Sequence, residues 1–326
     1  MLGAMWGIQM DRTGGPEVLS WGELPEPETG PGQIVVEVAA AGLNFIDTYQ
    51  RTGLYPVALP FTPGLEGSGT VIAVGPGVTW PSIGDHVAWP GSAGSYAELV
   101  AVAADRVVAV PETVGLDTAC AAQLQGMTAH YLATDTYPLT TGSRCLVHAG
   151  AGGVGLLLIQ IAKRLGAEVF TTVGSEQKAE LASAAGADHV ILYRQVDFAE
   201  AITSIAGPRP LDVVYDGVGA SVFDQSLSLL RKRGMMATFG NASGPVPPVS
   251  PLVLSSNGSL FLTRPTLFDH IVERAELERR AADLFAWISD GDLDVRIGAK
   301  YDLEDASEAH RALEARETTG KVLLIP

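Results

Sequence analysis

The chain has 326 residues, of which 47% are hydrophobic and 18% charged, and its 21 basic and 37 acidic side chains give a formal net charge of −16. This length favours two domains over one small core, and the hydrophobic content excludes a disordered chain. The strong negative charge disfavours binding to nucleic acid and to anionic membranes, so neither is expected as a partner.

The first 122 residues are predicted to form a compact β-rich domain. Short apolar segments recur there, and glycine or proline interrupts them every few residues, which is typical of strands joined by tight turns. The short connections favour mostly antiparallel pairing. The predicted strands are residues 34–41, 70–74, 86–89 and 96–100.

From residue 118 the pattern changes to alternating helices and strands. Residues 118–134 are alanine-rich with helical spacing, and the alternation continues to about residue 264. It predicts an α/β fold with a doubly wound parallel sheet of six strands. The strands are predicted near Leu146, Val169, Val190, Val213 and Ala237 and at residues 260–263, and the helices at residues 153–165, 177–185, 198–205 and 222–230.

The C-terminal part of the chain is predicted to contain a long helix and a final strand. Residues 269–289 form an amphipathic helix whose charged face is expected in solvent. Residues 321–326 read as a strand, which indicates that the chain returns to the first domain. We therefore predict one domain from residues 1–122 and 266–326 and another from residues 123–265. The charged face consists of Glu273, Arg274, Glu276, Glu278, Arg279 and Arg280.

The cysteine content and the N-terminal segment favour a cytoplasmic protein. Cys120 and Cys145 both lie in apolar surroundings and are predicted to be buried free thiols, which suits a reducing compartment. Residues 1–10 lack the basic segment and long apolar core of a signal peptide. No apolar run reaches the ~20 residues that span a bilayer.

A glycine-rich segment follows the first strand of the α/β region. Gly150, Gly152 and Gly155 satisfy the pattern G-x-G-x-x-G between a strand and a helix. In this motif the first glycine makes a tight turn, the second lets the backbone approach a pyrophosphate, and the third lets the helix pack close to the strand. The helix then presents free N–H groups and its positive dipole end to phosphate. The segment predicts a dinucleotide site, and the alternative is a glycine-rich turn in an ordinary β-α-β unit.

The end of the second strand favours NADPH over NADH. In NAD-binding proteins an acidic residue about 20 positions after the glycines holds the ribose hydroxyls. Here Gly174 stands at that point, Ser175 can hydrogen-bond a 2′-phosphate, and Lys178 can neutralise it. Tyr193 closes the third strand and is expected to border the same phosphate. Glu176 leaves the NAD alternative open.

Several segments spread along the chain carry a family resemblance. They are Asn44-Phe45-Ile46-Asp47-Thr48-Tyr49, Arg51-Thr52-Gly53-Leu54-Tyr55-Pro56, Ala149-Gly150-Ala151-Gly152-Gly153-Val154-Gly155, Phe239-Gly240-Asn241-Ala242-Ser243-Gly244 and Thr263-Arg264-Pro265. These segments resemble the quinone oxidoreductase (ζ-crystallin-like) branch of the medium-chain dehydrogenase/reductase superfamily. The resemblance extends from residues 14–19 to the final Leu-Leu-Ile-Pro.

This resemblance implies a GroES-like catalytic domain (residues 1–122 and 266–326), a Rossmann domain (residues 123–265) and a cleft between them. It also implies NADPH as cofactor and a homodimer in which two Rossmann sheets join near the sixth strand. Val218 stands after a glycine where close relatives often have serine, so a hydroxyl contact is expected to be lost there. The implied cofactor contacts are Asn44, Phe45, Ile46, Asp47, Thr48, Tyr131, Gly153, Val154, Gly174, Ser175, Lys178, Tyr193, Val218, Phe239, Gly240, Asn241, Ser243, Thr263, Arg264 and Pro265.

The zinc ligands of the superfamily's alcohol dehydrogenases are missing from the corresponding positions. Those enzymes have a catalytic cysteine, a Gly-His-Glu segment and a four-cysteine lobe. In this resemblance Asn44 stands at the cysteine position, and Gly64-Leu65-Glu66 lacks the histidine. No cysteine lies between Gly84 and Val108, and the six histidines show no paired spacing. Because tetrahedral zinc needs about four N, S or O ligands, no metal is expected, and Glu66 is predicted to be structural.

Without zinc to polarise an alcohol oxygen, the sequence favours reduction of an electrophilic acceptor by NADPH. A quinone is the first candidate, and an enone or alkenal double bond is the alternative. A third possibility is a cofactor-binding protein with a structural or RNA-binding role, which the net charge and the intact glycine motif disfavour.

Four side chains are candidates for polarising a substrate carbonyl: Asn44, Tyr49, Tyr55 and Gln125. The two tyrosines also offer flat faces to an aromatic ring. Each candidate has a structural interpretation as well, since Asn44 can cap a helix that starts near Phe45 and the tyrosines can be packing residues. Gln125 stands where close relatives are expected to have lysine, so no obligatory proton donor is predicted.

Overall fold

The computed structural model describes residues 3–326 and divides into two compact units. The first contains the chain up to Met127 together with His270–Pro326, and the second contains Thr128–Asp269. The strands are β1 (Ala4–Gln9), β2 (Ser20–Pro25), β3 (Gln33–Leu43), β4 (Glu66–Val74), β5 (His86–Pro90), β6 (Leu99–Ala103), β7 (Val108–Ala109), β8 (Arg144–His148), β9 (Glu168–Val173), β10 (His189–Leu192), β11 (Leu211–Asp216), β12 (Leu230–Thr238), β13 (Phe261–Thr263), β14 (Ile297–Asp302) and β15 (Lys321–Ile325).

The α-helices are divided between the two units. None of the helices in residues 3–326 is both long and apolar enough to cross a membrane. They are α1 (Phe45–Thr52), α2 (Leu116–Ala122), α3 (Leu124–Tyr131), α4 (Gly153–Arg164), α5 (Glu176–Ala184), α6 (Phe198–Ala206), α7 (Phe223–Leu229), α8 (Pro251–Ser256), α9 (Arg274–Ser289) and α10 (Ala306–Glu314).

The first unit is built on a seven-stranded sheet with the spatial order β14-β15-β3-β4-β5-β7, in which β6 also pairs with β3. Its pairings are antiparallel except for β14 with β15. The last strand of the chain therefore completes this sheet beside β3. Alternate residues of β3, including Ile34, Val36 and Val38, pack into the core with Trp89 and Tyr96. The β-rich, mostly antiparallel architecture predicted for this part is confirmed.

The second unit contains a six-stranded sheet with the order β10-β9-β8-β11-β12-β13. All its pairings are parallel, which confirms the predicted doubly wound fold. The strand order reverses at β8, because the chain moves outward through β9 and β10 on one side and through β11, β12 and β13 on the other. In such sheets ligands bind outside the carboxyl ends of the strands at this reversal.

The strand predicted at residues 96–100 is displaced, because β6 begins at Leu99. Tyr96 is fully buried, and its hydroxyl donates to the Asp47 carboxylate at 3.2 Å. Ala97 forms only an isolated bridge with Gly7. This segment is held by the buried Tyr96 side chain and by single backbone hydrogen bonds, such as those from the Ile8 N–H to the Tyr96 carbonyl oxygen and from the Tyr96 N–H to the Pro63 carbonyl oxygen.

The helix predicted at residues 269–289 begins later, and one of its charges is not in solvent. Helix α9 starts at Arg274, after a 3-10 turn at Leu267–His270. Arg280 is fully buried, and its Nε donates to the carbonyl oxygen of His270 at 2.9 Å. The prediction that the whole charged face is solvated is therefore wrong at Arg280, where the guanidinium satisfies a backbone carbonyl of the preceding turn.

Candidate functional site

The glycine loop after β8 gives each of its three glycines a different environment. A Cβ at Gly150 would lie 1.9 Å from Oγ1 of Thr171, and one at Gly155 would lie 2.4 Å from the carbonyl oxygen of Ala149. Packing therefore requires glycine at both positions. At Gly152, apart from the adjoining residues, the only atom of the described chain within 4 Å of a Cβ would be the Ala149 oxygen, at 3.3 Å. The space in front of Gly152 is left open by the protein, which fits a ligand that approaches the backbone there.

Helix α4 begins directly behind this open position, with Gly152 as its N-cap residue in extended backbone (φ −79°, ψ 171°). The N–H groups of the first helical turn, including those of Gly153 and Val154, have no acceptor inside a helix. They point out of the helix N-terminus, where the dipole favours negative charge. The loop and helix together therefore form a cradle that suits the pyrophosphate of a dinucleotide.

A buried histidine fixes the base of this loop. His148 ends β8, and its ring bonds to Oγ1 of Thr172 and to Oγ of Ser226, each at 2.9 Å. The Ser226 hydroxyl donates to the carbonyl oxygen of Val222, so its oxygen accepts from the histidine Nε2–H. Burial lowers the pKa of His148 to about 3, and the ring therefore stays neutral. The sequence shows a histidine before the loop but not its role in joining β8, β9 and α7.

The carboxyl ends of β9 and β10 bring together most of the residues expected at the adenosine phosphate. Ser175 is the N-cap of α5, and its Oγ accepts from the backbone N–H of Lys178 at 3.4 Å. A Cβ at Gly174 would lie 2.8 Å from the hydroxyl oxygen of Tyr193. Glu176 accepts a hydrogen bond from a side-chain amide at 3.2 Å and is thus engaged within the protein.

Two loops at the carboxyl ends of β11 and β12 are tied to each other. Asp216 Oδ1 accepts from the N–H groups of Val218 (2.7 Å) and Gly219 (2.9 Å). The Ser243 hydroxyl donates to the Val218 carbonyl oxygen at 2.8 Å, and a Cβ at Gly240 would come within 2.4 Å of a backbone oxygen of the facing loop. Burial raises the pKa of Asp216 to about 6. The two loops therefore form one braced unit.

The other cofactor residues expected in the second unit lie at the same edge of the sheet, except for Tyr131. Phe239 and Asn241 follow β12, and Thr263 is the last residue of β13. Arg264 and Pro265 follow β13, and Nη1 of Arg264 donates to the carbonyl oxygen of Thr238 at 3.1 Å. Tyr131 instead ends α3 and is 1% exposed.

In the first unit, the segment Asn44–Thr48 connects β3 to α1. Asn44 is the N-cap residue of α1, as its structural interpretation predicts, and its backbone N–H donates to Asp47 Oδ2 at 2.7 Å. Phe45 and Ile46 are half-buried, and Thr48 donates from Oγ1 to the Phe45 carbonyl oxygen at 2.7 Å. Asp47 is fully buried, and this desolvation raises its pKa to about 7.

The Asn44 side chain belongs to a buried polar cluster with Glu66 and Lys321, both at most 1% exposed. Nδ2 of Asn44 donates to Oε2 of Glu66 at 2.8 Å and to the Gly42 carbonyl oxygen at 3.2 Å. Nζ of Lys321 donates to Oδ1 of Asn44 at 2.9 Å and also pairs with Glu66. Oε1 of Glu66 accepts from the Leu124 N–H at 2.6 Å, so Glu66 is structural. Both amide hydrogens of Asn44 are thus engaged inside the protein.

The two candidate tyrosines contact each other. The rings of Tyr49 and Tyr55 meet edge to face at 5.3 Å between centroids, and Phe45 continues the row at 6.2 Å from Tyr49. Tyr49 is 8% exposed and Tyr55 is half-buried. Gln125 is half-buried in α3, and its buried Oε1 has no hydrogen-bond partner within the described chain. Among residues 3–326, no group of three or more His, Cys, Asp or Glu side chains is placed to hold a metal ion.

Comparison with known proteins agrees with this architecture. A family model described as an alcohol dehydrogenase GroES-like domain matches residues 30–112, and one described as a zinc-binding dehydrogenase matches residues 153–287. A quinone oxidoreductase of Salmonella typhimurium is 44% identical, over 98% of this chain and 99% of its own length. The chain belongs to the quinone oxidoreductase family of the medium-chain dehydrogenases/reductases.

Solved structures of this family superpose closely on the chain. Escherichia coli quinone oxidoreductase in complex with NADPH has a TM-score of 0.96 at 42% identity and covers 98% of this chain and 100% of its own. A mycobacterial protein in complex with NADPH also has a TM-score of 0.96, at 47% identity, and covers 99% of this chain and 100% of its own. A more distant relative, 2-haloacrylate reductase of a Burkholderia species, is 37% identical over 97% of each chain.

Within this family framework, the structure adds residues that the sequence alone does not single out. Lys321 anchors Asn44, and Asp216 braces the loops after β11 and β12. His148 supports the glycine loop from beneath. Lys321 and His148 act through hydrogen bonds to partners that are distant in sequence, whereas the Asp216 carboxylate accepts from N–H groups two and three residues later.

Proposed function

We propose that this protein catalyses the NADPH-dependent reduction of quinones. The observation that carries the proposal is the similarity to quinone oxidoreductases over 98% of the chain, including a relative solved with NADPH over whose whole length the chain aligns. The geometry supports the binding of a dinucleotide cofactor, because the space next to Gly152, at the N-terminus of α4, is open.

The proposed cofactor site runs along the carboxyl edge of the parallel sheet. The α4 N-terminus would hold the pyrophosphate, and the end of β9 would hold the adenosine ribose and its phosphate. The loops braced by Asp216 would hold the other end of the dinucleotide. When bound, NADPH would supply the two electrons of the reduction, either as a hydride or one at a time.

The substrate contacts are proposed for the first unit. Tyr49 and Tyr55 carry aromatic rings and hydroxyl groups, which are the groups that suit a flat quinone and its carbonyl oxygens. Hydrogen-bond donors placed at such an oxygen stabilise the negative charge that develops during reduction. Asn44 would need to release one of its internal hydrogen bonds to donate to a substrate, so we propose that its main contribution is to hold the start of α1.

The proposal predicts rapid NADPH oxidation with ortho- or para-quinones as acceptors and slow oxidation with saturated ketones of similar size. The measurement is the decrease of NADPH absorbance across a panel of acceptors, with a radical probe that separates one-electron from hydride transfer. NADH serves as the matched donor control. Absence of turnover with every quinone, in protein that binds NADPH, would contradict the proposal.

Reduction of an activated double bond is the second candidate. It is favoured by the similarity to 2-haloacrylate reductase, whose name specifies an alkene substrate conjugated to a carboxylate. The same assay extended to enones and 2-haloacrylate distinguishes the two functions. A saturated product with deuterium from labelled NADPH at the β-carbon would support this second activity.

We propose that the protein forms a homodimer through the β13 edge of the parallel sheet. Phe261 in this edge strand is 57% exposed, and Leu252 in the neighbouring helix α8 is 77% exposed. An unpaired edge beside exposed apolar side chains suits pairing with a second copy. Phe261→Glu is expected to convert the dimer to a monomer in sedimentation velocity. Ile205→Glu, which alters a similarly exposed side chain on α6, should leave the assembly unchanged.

We also propose that the protein works in the cytoplasm. Its two cysteines, Cys120 and Cys145, are buried and free, as the sequence predicts. Burial raises the pKa of the Cys145 thiol to about 12, which keeps it protonated and unreactive. A fold that needs no disulfide is suited to a reducing compartment.

A further inference from the structure

A second cation lies at the carboxyl ends of β9 and β10, beside the lysine that the sequence identifies. Val173 and Leu192 are register partners at the ends of these strands, so the residues after them emerge side by side. A Cβ at Gly174 would lie 2.8 Å from the Tyr193 hydroxyl oxygen and 3.4 Å from Nε of Arg194. The phenol and the guanidinium therefore both lie over the glycine.

Arg194 has no counter-ion in the described chain. It is exposed, and no hydrogen bond or ion pair of its side chain occurs within residues 3–326. The two acidic residues near it have other partners: Glu176 accepts from Gln195, and Asp197 accepts from Gln225 at 2.6 Å and from N–H groups of α6. In a protein with a net charge of −16, this guanidinium is left available for an external anion.

We infer that Arg194 binds the phosphomonoester of NADPH and makes the site discriminate against NADH. This inference rests on the proposed function, because it assigns a residue to the cofactor named there. The end of the second strand is where dinucleotide-binding folds meet the adenosine ribose, and an arginine there accommodates a 2′-phosphate. The planar guanidinium can donate two parallel hydrogen bonds to phosphate oxygens, whereas the ribose hydroxyl of NADH offers no charge to pair with.

The geometry also explains why glycine stands at position 174. A side chain there would collide with the Tyr193 hydroxyl. It would also fill the space between that hydroxyl and the Arg194 guanidinium. The phosphomonoester is the group that this space and its donors fit.

The test is a calorimetric comparison of four ligands: NADPH, NADH, 2′-AMP and 5′-AMP. Arg194→Gln is expected to weaken binding of NADPH and 2′-AMP about tenfold or more and to change binding of NADH and 5′-AMP less than about twofold. Arg194→Lys keeps the positive charge but loses the planar pair of N–H donors. Its affinities for NADPH and 2′-AMP should therefore lie between those of the wild type and Arg194→Gln. Arg12→Gln removes an arginine of the other unit that is also exposed and should alter none of the four affinities.

Two results would overturn the inference while leaving the proposed function intact. One is unchanged NADPH affinity in Arg194→Gln. The other is an equal loss for NADPH and NADH, which would mean that the guanidinium stacks on the adenine. If the wild-type protein binds neither NADPH nor 2′-AMP, the proposed function itself fails and this inference fails with it. If Arg194→Gln does not fold, the same comparison of NADPH and NADH affinities is made with Arg194→Lys, and an unchanged NADPH affinity there would overturn the inference.

Discussion

Replacing Lys321 with methionine is expected to lower the free energy of unfolding by about 3–5 kcal/mol. The ammonium group is 1% exposed and pairs with Glu66, which is fully buried. Methionine fills a similar volume but leaves the Glu66 carboxylate without its cation in a place that water does not reach. Breaking a buried pair on one side is costly because the remaining charge is uncompensated. Urea denaturation near neutral pH measures the change.

Lys300→Met is the matched control. Lys300 forms an ion pair with Asp117, but the two side chains are 50% and 38% exposed. An exposed pair of this kind contributes about 1 kcal/mol or less, so the control should remain close to wild type. The double variant Lys321→Met/Glu66→Gln removes both charges and should recover part of the lost stability. If Lys321→Met is no more destabilising than Lys300→Met, the buried pair does not stabilise the first unit.

The burial of Lys321 and its contacts with Asn44 and Glu66 could not be predicted from the sequence. Lys321 is 277 positions from Asn44 and 255 from Glu66. In the sequence it is simply the first residue of an apolar strand, and lysine at a strand start is usually in solvent. Only the antiparallel pairing of β15 with β3 brings its side chain to Asn44. The sequence therefore offers Asn44 both as a donor to substrate and as a helix cap, but it does not show that the amide is engaged in a buried network.

Features that depend on local order were predictable. The strand, glycine loop and helix around Gly152 follow one another without interruption, so composition and spacing suffice to predict the loop and the parallel sheet around it. The burial of Arg280 was not predictable in this way. The local charge pattern predicts that it is exposed, but its guanidinium is buried and donates to the carbonyl oxygen of His270, ten residues earlier. The sequence pattern describes a helix face well, but it does not show which neighbouring segment covers that face.

Gly152→Val is expected to weaken NADPH binding about 100-fold, which corresponds to about 2.7 kcal/mol, with little loss of stability. The backbone at this position is extended, a conformation that valine adopts readily. Apart from the adjoining residues, the Ala149 oxygen at 3.3 Å is the only atom of residues 3–326 within 4 Å of its Cβ position, so the new side chain extends into the space proposed for the pyrophosphate. Isothermal titration with NADPH and thermal unfolding of the same samples measure the two effects.

Gly115→Val is the matched control for this substitution. Gly115 is also an N-cap glycine with extended backbone (φ −66°, ψ 151°), and nothing lies within 4 Å of its Cβ position. Both variants should lose less than about 1 kcal/mol of stability, since glycine and a β-branched residue differ modestly as caps. Gly115→Val should nevertheless bind NADPH like the wild type, because only Gly152 stands in front of the glycine-loop helix.

Gly155→Val distinguishes a ligand effect from a packing effect. Its Cβ would lie 2.4 Å from the Ala149 oxygen and 2.8 Å from Cα of Gly150, so the loop and α4 would have to separate. This variant is therefore expected to lose stability and NADPH binding together, whereas Gly152→Val loses binding alone. If Gly152→Val instead keeps its affinity for NADPH, the dinucleotide does not cross the loop at the second glycine. The glycines between β8 and α4 would then serve only to let the loop and the helix pack closely.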